Sequence, residues 1–215
     1  MSVLNFNKGV SLMNKAMTIV YEVGSNLYVN ITNKCPCSCT FCIRQNADGA
    51  YGSDSLWLEH EPSIEEIREA FEKADFKKYN EIIFCGYGEP TERIDVLCEA
   101  AKYIKENNGP AIRLNTNGLS DLIHGEPTAK RFEGIIDTVS VSLNAGTKEE
   151  YLKVTRPKFG EVSYEAMQKF AAECKNYVKN VVFSVVDVIG EDEIAASQAL
   201  ADKHGITLRV RKYEG

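Results

Sequence analysis

From Met17 onward the chain alternates between two apolar patterns. Short runs rich in β-branched and aromatic residues predict strands at 18–22, 27–32, 81–85, 111–114, 138–143, 181–188 and 206–210. Between them, apolar positions at three- and four-residue spacing predict helices near 63–74, 92–107, 148–154, 164–178 and 192–204, with a helix-like stretch at 128–136. Ser63-Ile64-Glu65-Glu66 is a capping box, in which serine and glutamate side chains satisfy amides that a helix start leaves open. Behind it, Ile64, Ile67, Ala70, Phe71 and Ala74 fall on one stripe. Cys98 and Cys174 sit on equivalent stripes of later helices and read as core. Gly24-Ser25-Asn26 turns the first two strands into a hairpin. The run at 181–188 is nearly all apolar, which predicts a strand buried on both faces.

Counted from Leu27, strand and helix alternate six times. Alternation of this kind predicts parallel strands joined by crossovers. Six units do not close an eight-stranded barrel. The expected fold is therefore α/β: an open, partial (β/α)6 TIM-like barrel with an N-terminal β-hairpin. Residues 1–16 lack the pattern and read as an irregular extension, leaving 17–215 as a single core domain. A length of 215 residues with 44% hydrophobic content suffices for a substantial core. Ligands of such sheets and barrels gather at the carboxyl ends of the strands, and each unusual motif of this chain falls at one.

The first is Thr32-Asn33-Lys34-Cys35-Pro36-Cys37-Ser38-Cys39-Thr40-Phe41-Cys42-Ile43-Arg44, with four cysteines in eight residues and no helical or strand period. Such a cluster binds metal, forms disulfides or does redox chemistry. Seven cysteines, an odd number without regular spacing, point to a reducing, cytoplasmic compartment rather than a secreted disulfide framework. Cys35, Cys39 and Cys42 are spaced C-x3-C-x2-C, and three thiolates can hold three corners of a [4Fe–4S] cube with one iron left open. The alternative is zinc on all four, Cys37 included. Zinc sites usually pair two C-x2-C units across a longer linker, and no second pair follows. The apolar runs are too short to span a membrane, and 1–16 lack the apolar core of a signal peptide. At a net charge of −6, with Lys and Arg scattered, nucleic acid binding is not indicated.

The cysteine spacing, with Phe41 beside the last thiol, resembles the radical S-adenosylmethionine (SAM) superfamily. There the open iron is chelated by the amino and carboxylate groups of SAM. Gly86-Tyr87-Gly88-Glu89-Pro90 resembles the superfamily's GGEP motif, with Tyr87 in place of its first glycine. The resemblance implies contact with the SAM amino group, mostly through backbone carbonyls. Asn115-Thr116-Asn117-Gly118 resembles the polar turn common after the third strand, so Asn115 becomes a candidate cofactor contact. Ser140, Ser142 and Asn144 alternate and are expected on one face; the resemblance carries the ribose motif to Ser142 and Asn144. Residues 186–193 partly match G-x-I-x-G-x-x-E, Gly190 and Glu193 fitting and Val186 departing. In the family this region packs the adenine. Arg44 and Arg156 read as surface salt-bridge residues, Cys37 as a bystander thiol, and Trp57 as the residue that docks the long loop at 44–62.

More narrowly, residues 35–44 resemble radical SAM proteins associated with TatD-type metal-dependent hydrolases. The wider resemblance implies a reduced cluster that donates an electron to bound SAM, yielding a 5′-deoxyadenosyl radical that abstracts hydrogen from a substrate. It also implies an external one-electron donor of flavodoxin or ferredoxin type and an anaerobic setting. The narrower one adds a TatD-type hydrolase as a possible partner. The rival from another class is a non-catalytic zinc- or Fe–S-binding interaction protein. No motif in the chain names a substrate.

Overall fold

The computed structural model describes residues 15–213. The extension expected at 1–16 lies, but for its last two residues, outside them. Strands β1 (Val20–Val23) and β2 (Asn26–Val29) form the antiparallel hairpin, with Gly24 at φ +61° in the tight turn. Five strands then add in parallel and in chain order: β3 (Glu81–Phe84), β4 (Ala111–Thr116), β5 (Thr138–Ser142), β6 (Asn180–Val186) and β7 (Thr207–Arg211). The helices are α1 (Ile64–Ala74), α2 (Ile94–Glu106), α3 (Ser120–His124), α4 (Lys148–Thr155), α5 (Val162–Cys174) and α6 (Glu191–His204). No helix among the described residues is long and apolar enough to cross a membrane. This is the open parallel α/β architecture expected, entered through its hairpin.

Strand alternation splits the sheet into two chemically different faces. Ile82, Phe84, Ile112, Leu114, Val139, Val141, Phe183 and Val185 are fully buried in the core shared with the helices. The opposite face carries Glu81, Arg113, Asn115, Ser140, Ser142 and Ser184 in register. A polar face turned inward makes sense only if the sheet curls around it. Five strand-to-strand steps separate β2 from β7, about 24 Å in a flat sheet. Yet the Arg209 charge on β7 lowers the proton affinity of the Tyr28 hydroxyl on β2, although burial raises it overall. The sheet is therefore a trough, apolar and helix-covered outside, with an inner face that mixes these polar residues with Ile83, Val182 and Val186.

The capping box forms as expected: Ser63 Oγ accepts from the Glu66 amide while Glu66 accepts from the Ser63 amide at 2.7 Å. Cys98 and Cys174 are both buried in the core. Other expectations need correction. The stretch at 128–136 holds only a 3-10 turn, Ala129–Phe132, because Pro127 before it and Gly134 after it (φ +74°) leave no room for helix growth. The crossover helix is instead the short α3, ended by Gly125 at φ +72°. Strand β6 is not buried along its whole length. Asn180 is exposed and Val181 half-buried, because pairing with β7 begins only at Val182. Strand β4 runs on to Thr116, which puts Asn115 inside it.

Phe71 anchors α1, fully buried and stacked with Tyr103 of α2 at a ring distance of 6.4 Å. Phe71→Ala should lower stability by about 3–5 kcal/mol, read as an earlier urea midpoint with an unchanged slope.

Candidate active site at the carboxyl edge of the sheet

After β2 the chain makes no α-helix before Ile64; apart from a 3-10 turn at Ile43–Gln45 it crosses the sheet edge as a loop whose backbone bonds to other loops. The Ser38 amide donates to Thr155 O (3.0 Å), that of Thr40 to Val154 O (2.8 Å) and that of Lys158 to Pro36 O (2.8 Å). The loop is thus stitched to the end of α4, where Arg156 turns the chain at φ +47°. Arg156 is exposed, with no ion pair among the described residues. Arg44 is not a surface salt-bridge residue. Its guanidinium donates to Cys37 O (3.2 Å) and Tyr87 O (3.4 Å), clamping two loops through their carbonyls. Gln45 Nε2 donates to Cys39 O at 2.6 Å.

Four thiols sit on this scaffold, and they are not equivalent. Cys35, Cys39 and Cys42 are partly exposed, whereas Cys37 is 4% exposed and belongs to the core beneath the loop. The Cys37 thiol lies within hydrogen-bonding reach of the Cys35 and Cys39 sulfurs. Those contacts, with burial, push Cys37 far above the usual thiol range and lower both neighbours. Burial raises Cys42. Tetrahedral zinc would draw four sulfurs to about 2.3 Å from one centre. Zinc on all four would require Cys37 to leave the core in which it is buried. The donor set that fits a ligand is three accessible thiols on one loop, with a fourth turned inward. Phe41 lies between two of them, partly buried against the core.

The segment 86–90 packs directly against this loop. A Cβ on Gly88 would overlap the Thr32 carbonyl, and one on Gly86 the Asn30 side chain. The Glu89 amide donates to Lys34 O at 2.8 Å. The Glu89 side chain is 4% exposed. It accepts from Thr91 N and Oγ1, from Thr116 Oγ1 (2.7 Å) and from Asn117 N (2.7 Å). Burial raises its proton affinity, and these donors pull it back. Pro90 opens a 3-10 turn into α2.

Tyr87, standing where the GGEP pattern has glycine, packs against the long loop. Its ring meets Trp57 edge-on at 5.1 Å, and its hydroxyl lies 2.6 Å from Ala47 O and 2.9 Å from Gly49 O. Burial raises its pKa to about 12, so it remains a donor. Trp57 docks the long loop as expected, and Tyr87 is its dock.

The remaining candidates line the same edge on β4 to β6. Asn115 lies opposite Ser140 on the inner face of β4. Ser142 ends β5, half-buried. Asn144 does not continue the alternation with Ser140 and Ser142. The strand stops at Ser142, the Leu143 and Asn144 amides both donate to Ser184 O, and Asn144 turns to φ +65°. Gly190, at φ +85° and ψ 161°, occupies a conformation that favours glycine and leads into α6. Glu193 then accepts from the Gly146 and Thr147 amides, locking α6 to the turn after β5. Sequence reasoning missed Arg93, whose guanidinium donates to Ile31 O and Pro62 O and steadies the end of β2. Its one signal was its place just after the 86–90 motif.

An open parallel sheet with three accessible cysteines at its carboxyl edge, braced by a glycine-rich turn, is the arrangement expected of the superfamily that the C-x3-C-x2-C spacing resembles. The Radical SAM superfamily model matches residues 29–197, and the chain belongs to that superfamily. A probable GTP 3′,8-cyclase of Methanocaldococcus jannaschii is 34% identical over 137 residues, 64% of this chain and 41% of that protein. Streptococcus suis SuiB bound to S-adenosylmethionine superposes with a TM-score of 0.65 at 16% identity, covering 89% of this chain and 41% of SuiB. A radical SAM methyltransferase from Sphaerobacter thermophilus gives 0.57 at 16% identity, over 91% and 69%. The chain thus spans about two fifths of the length of the cyclase and of SuiB.

Two substitutions test the bracing. Gly88→Ala should displace the Thr32–Lys34 backbone and reduce iron per chain after anaerobic reconstitution several-fold, with helix content by circular dichroism retained. Tyr87→Phe should accelerate amide hydrogen exchange across residues 45–57 by about five- to tenfold, the loss of one hydrogen bond of about 1 kcal/mol.

Proposed function

We propose that Cys35, Cys39 and Cys42 hold the [4Fe–4S] cluster and leave one iron open for the amino and carboxylate groups of SAM. One observation carries this reading: of four cysteines on one loop, these three are accessible and the fourth is buried. When bound, the cluster and SAM would supply one-electron chemistry and hydrogen abstraction from a substrate. The chain's own residues position and exclude. Gly88 and Glu89 keep the 86–90 backbone against the cysteine loop, Arg44 locks both from behind, and Tyr87 with Trp57 holds the 45–62 loop over the edge. Asn115, Ser142, Asn144 and Gly190 are the candidate contacts for the rest of SAM, supported by their placement on the same edge.

An electron must enter from outside. A pocket lined by Asn33, Lys34, Cys35, Pro36, Arg44, Glu92 and Lys158 opens beside the first cysteine. Its lining is basic on balance, which suits an acidic one-electron donor of flavodoxin or ferredoxin type. Seven cysteines without the spacing of a disulfide framework support a reducing, cytoplasmic setting, an exposed cluster would favour anaerobic operation, and the resemblance at residues 35–44 supports a TatD-type hydrolase as an associated protein.

Reconstituted without oxygen, the protein should hold about four irons per chain and release 5′-deoxyadenosine from SAM under strong reductant. Cys35→Ala, Cys39→Ala and Cys42→Ala should each abolish both, while Cys37→Ala keeps the iron. Zinc in place of iron, or a requirement for Cys37 equal to that for the other three, would overturn the assignment.

A further inference from the structure

The inner face of the trough carries more positive charge than the cysteine site explains. Arg113 on β4 belongs to that face, as do Arg209 and Arg211 on β7, which pair with Ser184 and Val186 of β6. Leu208 and Val210 pair with the fully buried Phe183 and Val185 and so take the outer face. Arg113 is compensated: its Nη2 lies 2.5 Å from Glu81 Oε2. Arg209 and Arg211 are exposed and have no salt-bridge partner among the described residues. Their neighbours agree with the strand parity. The Arg209 charge acts on Glu81 and Tyr28, and the Arg211 charge on Cys85, which is adjacent in sequence to Gly86.

Two arginines two residues apart on one strand face have their Cα atoms about 7 Å apart. Turned inward and without a salt bridge among the described residues, they repel each other and attract an anion between them. Solubility alone would be served as well by the outer face. We propose that Arg209 and Arg211 form the anion-binding end of the substrate site, and that the substrate carries a phosphate or carboxylate group. The planar forks grip its oxygens through charge-assisted, bidentate bonds, while the remainder of the molecule extends along Cys85 toward the 86–90 turn. Calling this a substrate site rests on the radical SAM reading above; the anion grip itself does not depend on the cluster.

The test uses the reconstituted protein with saturating SAM and titrates inorganic pyrophosphate and, separately, succinate by calorimetry. At least one should bind, and Arg209→Gln/Arg211→Gln should weaken it tenfold or more. Arg209→Lys/Arg211→Lys keeps the charge without the fork and should fall between. Lys130→Gln/Lys203→Gln, which removes the same charge from exposed positions outside the trough, should change nothing. Tighter pyrophosphate binding supports a phosphate ester, and tighter succinate binding a carboxylate. The proposal is overturned if neither anion binds, if both double glutamine variants weaken binding equally, or if saturating SAM abolishes it, since the arginines would then serve SAM's own carboxylate. Iron content and 5′-deoxyadenosine release from the same preparation separate the two readings. Protein that cleaves SAM but binds no anion sinks only this proposal, whereas protein that binds anions without iron supports the grip and sinks the cluster assignment.

Discussion

A single buried carboxylate ties this active edge together. Glu89 accepts bonds from Thr91 in its own turn and from Thr116 and Asn117 at the end of β4, while its amide holds Lys34 at the head of the cysteine loop. Three successive strand ends meet at one residue. A charge so deeply buried is tolerated only when its lone pairs are met, and four donors meet them. The cost of burial and the bonds that offset it together fix the geometry, because moving any one loop would strand the carboxylate.

Around that tie the site is built from main chain more than from side chains. Gly88 has no Cβ because the Thr32 carbonyl occupies the space. Arg44 and Arg93 spend their donors on carbonyls of neighbouring loops. The consequence is a rigid shelf whose cysteine sulfurs are free to face a ligand, as preorganised binding requires. Tyr87 adds a local variation: a position that the superfamily motif fills with glycine here fastens the 45–62 loop through two carbonyls and the Trp57 ring.

The trough has a division of labour. Its outer face is helix-covered and apolar, so stability resides there. Its inner face buries Ile83 and Val186 but also carries Arg113, Asn115, Ser140 and the two arginines of β7. The order of the strands produces this arrangement, since parallel strands added in sequence, all with apolar outer faces, must curl toward the polar side.

What was legible in the sequence was whatever depends on local pattern. Period-two and helical spacings located the strands and most helices, Ser63 and Glu66 announced the start of α1, and C-x3-C-x2-C singled out Cys35, Cys39 and Cys42. These signals are local because each arises from residues within a turn or two of one another. Tertiary structure decided the rest. The burial of Cys37 depends on α4, more than a hundred residues away. Arg44 looked like a surface charge because the carbonyls it clamps belong partly to another loop. Asn144 left the strand because Ser184, forty residues on, accepts its amide and that of Leu143 together. The inward charge of Arg209 and Arg211 exists only once the sheet has curled, when strands distant in the chain come to share one interior.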